Sequence, residues 1–237
     1  MKKLGIIGGL GPMATAYFFE LITQRSAAKT DQEHIEVILH SKPQIPDRTE
    51  YILGKSSKSP VPDMMNVGLS LAKQGATTLA IPCITAHYFQ KELEEGIGIP
   101  IINALEETAQ YLLEREIQKV GIMATNGTIE SGIFQKVLEE SGIEVVIPDK
   151  EKQQKVMSLI YENVKAGVAV DISKFGEVSK ALFEQNAQVV LLACTELSLI
   201  KREYELGSGF LDVMELLAQK SVLACGKLLE EYNELIT

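Results

Sequence analysis

Two stretches of the chain follow the same pattern: Thr77-Thr-Leu-Ala-Ile-Pro-Cys-Ile-Thr-Ala-His87 and, about half the chain length later, Gln188-Val-Val-Leu-Leu-Ala-Cys-Thr-Glu196. Each is a short apolar run that ends in a cysteine and continues with a threonine one or two residues further on. Short apolar runs of this kind predict strands buried in a parallel sheet, and such sheets bind ligands beyond the carboxyl ends of their strands. The pair therefore predicts a pocket with Cys83 on one wall and Cys194 on the other.

The rest of the chain alternates between short apolar runs and amphipathic stretches. We expect buried strands at Leu4–Ile7, Glu36–Leu39, Thr78–Ile81, Lys119–Met123, Glu144–Ile147 and Val189–Ala193. We expect helices at Ala14–Gln24, Asp63–Lys73, Ala104–Glu114, Ile129–Ser141, Lys152–Lys165, Ile172–Gln185 and Asp212–Glu231. Strands that alternate with helices imply right-handed crossovers and mostly parallel sheets, so the predicted fold class is α/β.

An internal repeat predicts two pseudo-symmetric halves. Lys3-Leu-Gly-Ile-Ile-Gly-Gly9 resembles Lys119-Val-Gly-Ile-Met-Ala-Thr125, and each opens a unit that ends in one of the two cysteine strands. Each half is then a mostly parallel sheet flanked by helices, with the active site in the cleft between them. We assign residues 1–101 plus 210–237 to the first half and residues 102–209 to the second.

Composition limits the function classes. The chain has 23 Lys and Arg against 32 Asp and Glu, a net charge of −9, and nucleic-acid binding needs a clustered basic surface that this sequence lacks. No apolar run approaches the roughly 18 residues of a membrane span. Three cysteines without a CxxC pair indicate reduced thiols and a cytoplasmic location. His34, His40 and His87 form no spaced ligand set, so no metal site is predicted.

Paired cysteines carry a specific chemistry. A single cysteine at a strand end is more often a packed core residue, and Cys225, which lies among apolar residues at helical spacing, fits that description. A core cysteine has no need of a neighbouring hydroxyl or of a twin, whereas two opposed thiols can exchange a proton with both faces of a carbon. The pattern therefore predicts a racemase or epimerase without a cofactor. His87, one helical turn after Cys83, would either activate that thiol or simply occupy a helix face.

Three further segments supply groups suited to a small anion. Gly9-Leu-Gly-Pro-Met-Ala14 matches the GxGxxA pattern of dinucleotide-binding loops. No acidic residue ends the second strand, however, where such a site needs one to bind the ribose. Its backbone N–H groups near Gly11 and Met13 are better suited to a small carboxylate. Arg48, in a proline-punctuated loop, is either a solvated charge or a bidentate clamp for a substrate carboxylate. Lys165 lies near a predicted helix end, where a cation also favours the helix dipole.

The ordered set of segments resembles the aspartate/glutamate racemase family, and its aspartate racemase branch in particular. The matching segments run over nearly the whole chain: Gly8–Thr15, Pro43–Thr49, Ile81–His87, Ala124–Gly132, Tyr161–Gly167 and Ala193–Glu196. The resemblance implies an amino-acid racemase that acts on aspartate or glutamate, is independent of pyridoxal phosphate and is commonly a homodimer.

The resemblance also implies roles for individual residues. Cys83 and Cys194 would be the acid and the base on opposite faces of the substrate. Arg48 and Lys165 would hold the side-chain carboxylate of the substrate, and Glu196 would orient or deprotonate the second thiol. The substrate-binding set that the resemblance implies is Gly11, Met13, Arg48, Ile84, Thr85, Thr125, Thr128, Lys165, Thr195 and Glu196.

Ile84 departs from the family pattern, in which an asparagine follows the first cysteine. That asparagine offers a hydrogen bond in the substrate pocket, so its loss bears on the identity of the substrate while leaving the acid–base pair intact. Two alternative functions stay open at this stage. One is a decarboxylase or isomerase of small dicarboxylates on the same scaffold, and a decarboxylase needs only one thiol. The other is a non-catalytic amino-acid-binding protein, for which Ile84 is the main argument.

Overall fold

Two parallel sheets form the framework of the computed structural model, which describes residues 2–237. The strands are β1 (Lys3–Gly8), β2 (Glu36–Ser41), β3 (Thr78–Ala80), β4 (Lys119–Met123), β5 (Glu144–Val146), β6 (Val189–Leu192) and β7 (Phe210–Asp212). The first sheet has the order β2-β1-β3 and the second the order β5-β4-β6-β7. All neighbouring strands pair in parallel, which confirms the predicted α/β class.

Helices connect and flank these strands. The α-helices are α1 (Pro12–Arg25), α2 (Arg48–Ile52), α3 (Val61–Lys73), α4 (Gln90–Ile97), α5 (Ala104–Leu113), α6 (Asn126–Ser131), α7 (Ile133–Glu140), α8 (Lys150–Met157), α9 (Ile172–Phe183), α10 (Thr195–Glu203) and α11 (Val213–Cys225). Short 3₁₀ turns lie at Asp31–Glu33, Ile84–Phe89 and Glu230–Tyr232, and a π-helix extends α8 over Ser158–Val164. None of the helices described between residues 2 and 237 is both long and apolar enough to cross a membrane.

One hydrophobic cluster joins the two sheets. It contains Ile6 of β1, Ile122 of β4 and Leu191 of β6, packed with Phe18 of α1 and Leu217 of α11. Two further clusters cover the other faces, one built around β3 and α3 and the other around β6 and α9. Because the halves share a core, the loops at their strand ends are held in fixed relation across the cleft.

Four of the predicted elements differ from the structure. β2 and β5 were expected to be buried on both faces, but each is the edge strand of its sheet and is partly exposed. The helix predicted over Ile129–Ser141 is broken at Gly132, which adopts φ of 66° and so ends α6 before α7 begins. The last helix stops at Cys225 rather than Glu231, because Gly226 leaves helical geometry.

Sequence periodicity misses β7 and the helices α2, α4 and α10. β7 has three residues, too few for a period to be visible, and α10 begins directly after Cys194. β7 pairs with β6 in the second sheet, although the predicted division puts residues 210–212 in the first half. α11 packs against α1, as expected for the chain's return to the first half. The division of the chain into two halves stays a prediction.

Candidate active site

The two cysteines occupy equivalent positions after β3 and β6. Cys83 has extended backbone and precedes the 3₁₀ turn Ile84–Phe89, and Cys194 has extended backbone and precedes α10. Both side chains are buried, and both sulfurs are unoxidised free thiols. A strand that turns directly into a helix aims the first helical N–H groups at whatever lies beyond the strand end.

Both cysteines line one narrow cavity, which we call the thiol chamber. Its free volume is about 10 Å³, no more than a single water molecule occupies. The residues that line it are Leu10, Asp47, Arg48, Thr49, Cys83, Ile84, Thr85, Thr125, Tyr161, Lys165, Cys194, Thr195 and Glu196. Loops from both sheets therefore meet here, as the sequence predicts for Cys83–Thr85 and Cys194–Glu196.

A second cavity, the mouth cavity, adjoins the thiol chamber and has a volume of about 370 Å³. The two cavities share a wall made of Leu10, Asp47, Arg48, Lys165 and Glu196. The other residues of the mouth cavity are Gly9, Gly11, Pro12, Met13, Ala14, Pro43, Ile45, Val164 and Leu199. The volume lies within the usual range of ligand pockets, about 300–1,000 Å³.

Glu196 is the direct partner of Cys194. The Cys194 Sγ–H donates to Glu196 Oε2 at 3.0 Å, and the Thr195 hydroxyl donates to the same oxygen at 3.3 Å. Burial raises the pKa of the Cys194 thiol well above its ordinary value, and the negative charge of Glu196 raises it further. Both effects favour the protonated thiol, and its hydrogen bond orients the Sγ–H toward the Glu196 carboxylate.

Arg48 lies on the Cys83 side of the chamber. Its guanidinium donates to the carbonyls of Leu10 (3.0 Å), Pro46 (3.0 Å) and Ile45 (3.4 Å), while its buried Nε finds no hydrogen-bond partner within the described residues. Burial lowers the pKa of Arg48, but Cys83 and Asp47 more than offset this and raise it overall. A thiolate at Cys83 would thus lie beside a fixed cation.

Lys165 and Tyr161 contact the loop that carries Asp47. The Lys165 Nζ lies 3.9 Å from Glu196, 4.0 Å from Asp47 and 4.1 Å from the Tyr161 ring centroid. The Tyr161 hydroxyl donates to Asp47 at 3.2 Å. Burial lowers the pKa of Lys165, but Glu196 and its other acidic neighbours raise it overall, so the ammonium stays charged. The π-helix Ser158–Val164 leads into Lys165, and π-helical turns recur at functional sites.

Three hydroxyl groups close the back of the chamber. Thr85 Oγ1 lies 2.9 Å from Thr125 Oγ1 and 3.1 Å from Thr128 Oγ1, and all three side chains are buried. Thr85 follows β3 while Thr125 and Thr128 follow β4, so this cluster joins the two sheets. Thr128 supports the other two hydroxyls from behind and lies outside both cavity linings.

The structure brings most of the sequence-predicted site residues to the thiol chamber. Gly11 and Met13 lie in the mouth cavity instead, because α1 begins beside the shared wall. His87 lies outside both cavity linings. Its buried Nδ1 lies 2.6 Å from Gln90 Oε1, and burial lowers its pKa. Of the two roles considered for His87, the structure supports the helix-face one.

Sequence reasoning missed four chamber residues: Leu10, Asp47, Thr49 and Tyr161. Asp47 accepts a hydrogen bond from the Tyr161 hydroxyl and lies 4.0 Å from the Lys165 Nζ. Tyr161 precedes Lys165 by four residues, a spacing that places both on one helical face, so its position was open to prediction from that signal. No group of three or more His, Cys, Asp or Glu side chains within residues 2–237 is arranged to hold a metal ion.

A two-sheet α/β protein with paired thiols at equivalent strand ends has the architecture of a racemase. The Asp/Glu/Hydantoin racemase family matches residues 7–220, and the chain belongs to this family. It is similar to the aspartate racemase from Picrophilus torridus, with 33% identity, 98% of each chain covered and a TM-score of 0.83. It is 26% identical to the broad specificity amino-acid racemase RacX of Bacillus subtilis, over 92% of this chain and 96% of that one.

A solved glutamate racemase shares the fold at lower identity. The enzyme from Francisella tularensis, in complex with D-glutamate, has a TM-score of 0.65 and 19% identity, over 94% of this chain and 80% of that one. These similarities confirm the predicted family, the predicted two-sheet fold and the prediction that the chain is an enzyme of the racemase class.

Proposed function

We propose that the protein racemises an amino acid by passing the α-proton between Cys83 and Cys194, without a cofactor. One observation carries this proposal: two buried thiols from equivalent strand ends line the same small chamber. The two thiols differ in their neighbours, since Arg48 lies beside Cys83 and Glu196 accepts a hydrogen bond from Cys194. One thiolate and one thiol is the pair that two-base proton transfer requires.

The reaction moves two protons and no other group. The Cys83 thiolate takes the α-proton from one face of the substrate, so a C–H bond breaks and an S–H bond forms. Cys194 gives its proton to the opposite face, so its S–H bond breaks and a new C–H bond inverts the carbon. Cys194 is left as the thiolate, and the roles are exchanged for the opposite enantiomer.

The carbanion that forms between these steps needs electrostatic help, because an α-proton is a weak acid. The hydroxyls of Thr85, Thr125 and Thr195 line the chamber, and the first N–H groups of α10 have no intrahelical partner. Such donors stabilise the charge that develops on the α-carboxylate, and they are worth more in a water-excluded site. Acid–base catalysis alone contributes about 10²–10⁴-fold, so positioning and these donors supply the rest.

Hydrogen exchange tests the proposal directly. The protein is incubated in deuterated water with a panel of L- and D-amino acids, and proton NMR follows the loss of each α-proton. We expect loss of the α-proton together with appearance of the opposite enantiomer on a chiral column. A protein that binds amino acids by calorimetry yet exchanges no α-proton would be a binding protein, and the proposal would be wrong.

Replacing Glu196 by glutamine should change the pH dependence of the reaction. The charge of Glu196 raises the pKa of Cys194, and Cys194 must hold its proton in order to donate it. Activity in the direction in which Cys194 donates its proton is lost as the pH rises through the pKa of that thiol. Because E196Q should lower this pKa, it should move the alkaline limb of the kcat/KM profile to lower pH. The measurement is a pH–rate profile for each enantiomer.

Glu162→Gln is the matched control for this profile. Glu162 loses the same charge but lies on the π-helix, where it bonds to Ser158 and lines neither cavity. The alkaline limb of the E162Q profile should coincide with that of the unaltered protein. If the alkaline limb of E196Q also coincided with that of the unaltered protein, Glu196 would not control the protonation of Cys194.

Three expectations from the sequence remain predictions. Aspartate or glutamate is the substrate that the resemblance implies, and the charges around the chamber bear on that choice. A homodimer would be seen as twice the chain mass by light scattering on a sizing column. A cytoplasmic location suits the mechanism, because oxidation of either thiol would stop proton transfer.

A further inference from the structure

The residue four positions after each thiol is tied to the segment beyond the neighbouring strand. Ser198 follows Cys194 by four residues, and His87 follows Cys83 by the same number. Both side chains are buried, and neither lines the thiol chamber or the mouth cavity. Their hydrogen bonds are therefore made on the side of the fold that faces away from the substrate.

In the second sheet, the tie is a single hydrogen bond between two buried side chains. The Ser198 hydroxyl donates to Asp212 Oδ1 at 2.7 Å. Asp212 ends β7, which pairs with β6. The same oxygen accepts from the N–H groups of Met214 and Glu215 and so caps α11. Ser198 and Asp212, the Ser198 anchor, thus join the first turn of α10 to the start of α11.

In the first sheet, the corresponding tie runs through one further side chain. The His87 Nδ1 lies 2.6 Å from Gln90 Oε1, and Gln90 Nε2 donates to the carbonyl of Ile101 at 2.9 Å. Ile101 pairs in parallel with β3, as β7 pairs with β6. Asn103 then caps α5, as Asp212 caps α11. His87, Gln90 and the Ile101 carbonyl, the His87 anchor, repeat the arrangement of the second sheet.

Neither turn after a thiol has the side-chain cap that usually stabilises a helix start. Within residues 2–237, the side chains of Cys83 and Cys194 make no capping hydrogen bond, whereas Ser, Thr, Asp or Asn commonly supplies one at this position. The first N–H groups of each turn are then left for the substrate. Because the turn lacks this support at its start, it has to be held from its far face.

Ser198 lies on the face of α10 opposite the chamber. Successive helical residues are rotated by about 100°, so Ser198 and Glu196, which are two residues apart, point in nearly opposite directions. Glu196 Oε2 lies 3.0 Å from Cys194 Sγ, while Ser198 faces α11. The hydrogen bond on the back of this turn therefore fixes the position of Glu196 relative to the thiol.

We propose that Ser198 and His87 are positioning residues, each of which holds the turn after one thiol against the segment beyond the neighbouring strand. The proposal rests on the proposed function, because it concerns the placement of the groups that transfer the proton. Misplacement of reacting groups by about 1 Å costs about 10²-fold in rate. Loss of either anchor therefore lowers kcat, although neither side chain contacts the substrate.

Ser198→Ala deletes the tie in the second sheet and leaves the cap of α11 in place. We expect kcat at least about 10-fold lower. Ser221→Ala is the matched control, because Ser221 is equally buried and its hydroxyl donates at 2.7 Å to the Leu217 carbonyl within α11. Each variant loses one buried hydrogen bond, so a merely structural role would lower the thermal stability and the activity of both alike. Equal kcat in S198A and S221A would overturn the assignment of Ser198.

Asp212→Asn is the conservative variant for the Ser198 anchor. It keeps an oxygen that accepts from Ser198 and from the start of α11. The atom that it replaces, Oδ2, has no hydrogen-bond partner within residues 2–237. We expect D212N to keep most of the kcat that S198A loses, because the tie is intact. A loss in D212N as large as that in S198A would overturn the anchor.

His87→Asn and His87→Ala form the corresponding pair in the first sheet. Asparagine places an amide N–H near the position of Nδ1 and keeps the donor to Gln90, whereas alanine removes it. We expect kcat of H87A to be at least about 10-fold below that of H87N. Equal kcat in the two variants would overturn the assignment of His87.

The unaltered protein distinguishes the two levels of the proposal. Chiral chromatography gives kcat, and proton NMR in deuterated water gives α-proton exchange. If the unaltered protein exchanges no α-proton, the proposed function fails and the anchors fail with it. If it racemises its substrate and S198A and H87A match it in kcat, the anchors alone are wrong.

Discussion

Cys83→Ser and Cys194→Ser should each reduce racemisation by about 10²–10⁴-fold, the usual contribution of a positioned acid or base. A serine hydroxyl neither ionises at neutral pH nor gives up its proton as a thiol does. The remaining thiol still faces one side of the α-carbon, so each variant should exchange the α-proton of one enantiomer with deuterated water. The two variants should act on opposite enantiomers. Chiral chromatography measures racemisation, and proton NMR in deuterated water measures exchange.

Cys225→Ser is the control for both variants. Cys225 lies at the end of α11, half-buried and outside both cavity linings, and its replacement should leave racemisation unchanged. Full racemase activity in both single-cysteine variants would end the two-thiol mechanism. Loss of activity in C83S alone would instead indicate one-sided chemistry, as in a decarboxylase.

Gly127→Ala should disturb the chamber while leaving each sheet intact. A Cβ atom at Gly127 would lie 2.8 Å from Thr49 Oγ1, 2.9 Å from Thr49 Cα and 3.1 Å from Thr85 Cγ2. Thr49 lies in the first turn of α2 and Thr85 lies after β3, so the added methyl group pushes these two regions away from Gly127. Misplacement of reacting groups by as little as 1 Å costs about 10²-fold in rate. We expect a loss of that order in kcat, with the far-UV circular dichroism retained.

Gly176→Ala is the matched control. Gly176 lies within α9, and a Cβ atom there would meet nothing within 4 Å. The same substitution should therefore leave activity unchanged and stabilise the helix by about 0.5–1 kcal/mol. Equal activity in G127A and G176A would mean that close approach at Gly127 is not needed for catalysis.

The α/β class and most of the elements follow from local pattern. Lys119–Met123 is a strand at the predicted bounds, because a short apolar run is typical of a strand buried within a parallel sheet. The edge position of β2 and the three-residue strand β7 do not follow, since both depend on neighbours that are distant in sequence. The break at Gly132 could have been read from the glycine within the predicted helix.

The candidate site divides in the same way. The repeated position at strand ends identifies Cys83, Cys194 and the threonines beside them as site residues. The sequence does not show the roles of Arg48 and His87, because it identifies a side chain but not the groups that surround it in the fold. Arg48 is committed to backbone carbonyls beside Cys83, and His87 is bonded to Gln90. Asp47 and Tyr161 became visible as chamber residues only once the two halves were packed together.

The sequence by itself determined the fold class, the family and the two thiols, because strand periodicity and a repeated motif are local properties of the chain. Only the tertiary structure decided how the charges are shared around the chamber and that an apolar cavity adjoins it. Those features depend on side chains from both sheets that meet across the cleft. The energy of each interaction depends on the distance between the groups in space, and separation along the sequence does not give that distance.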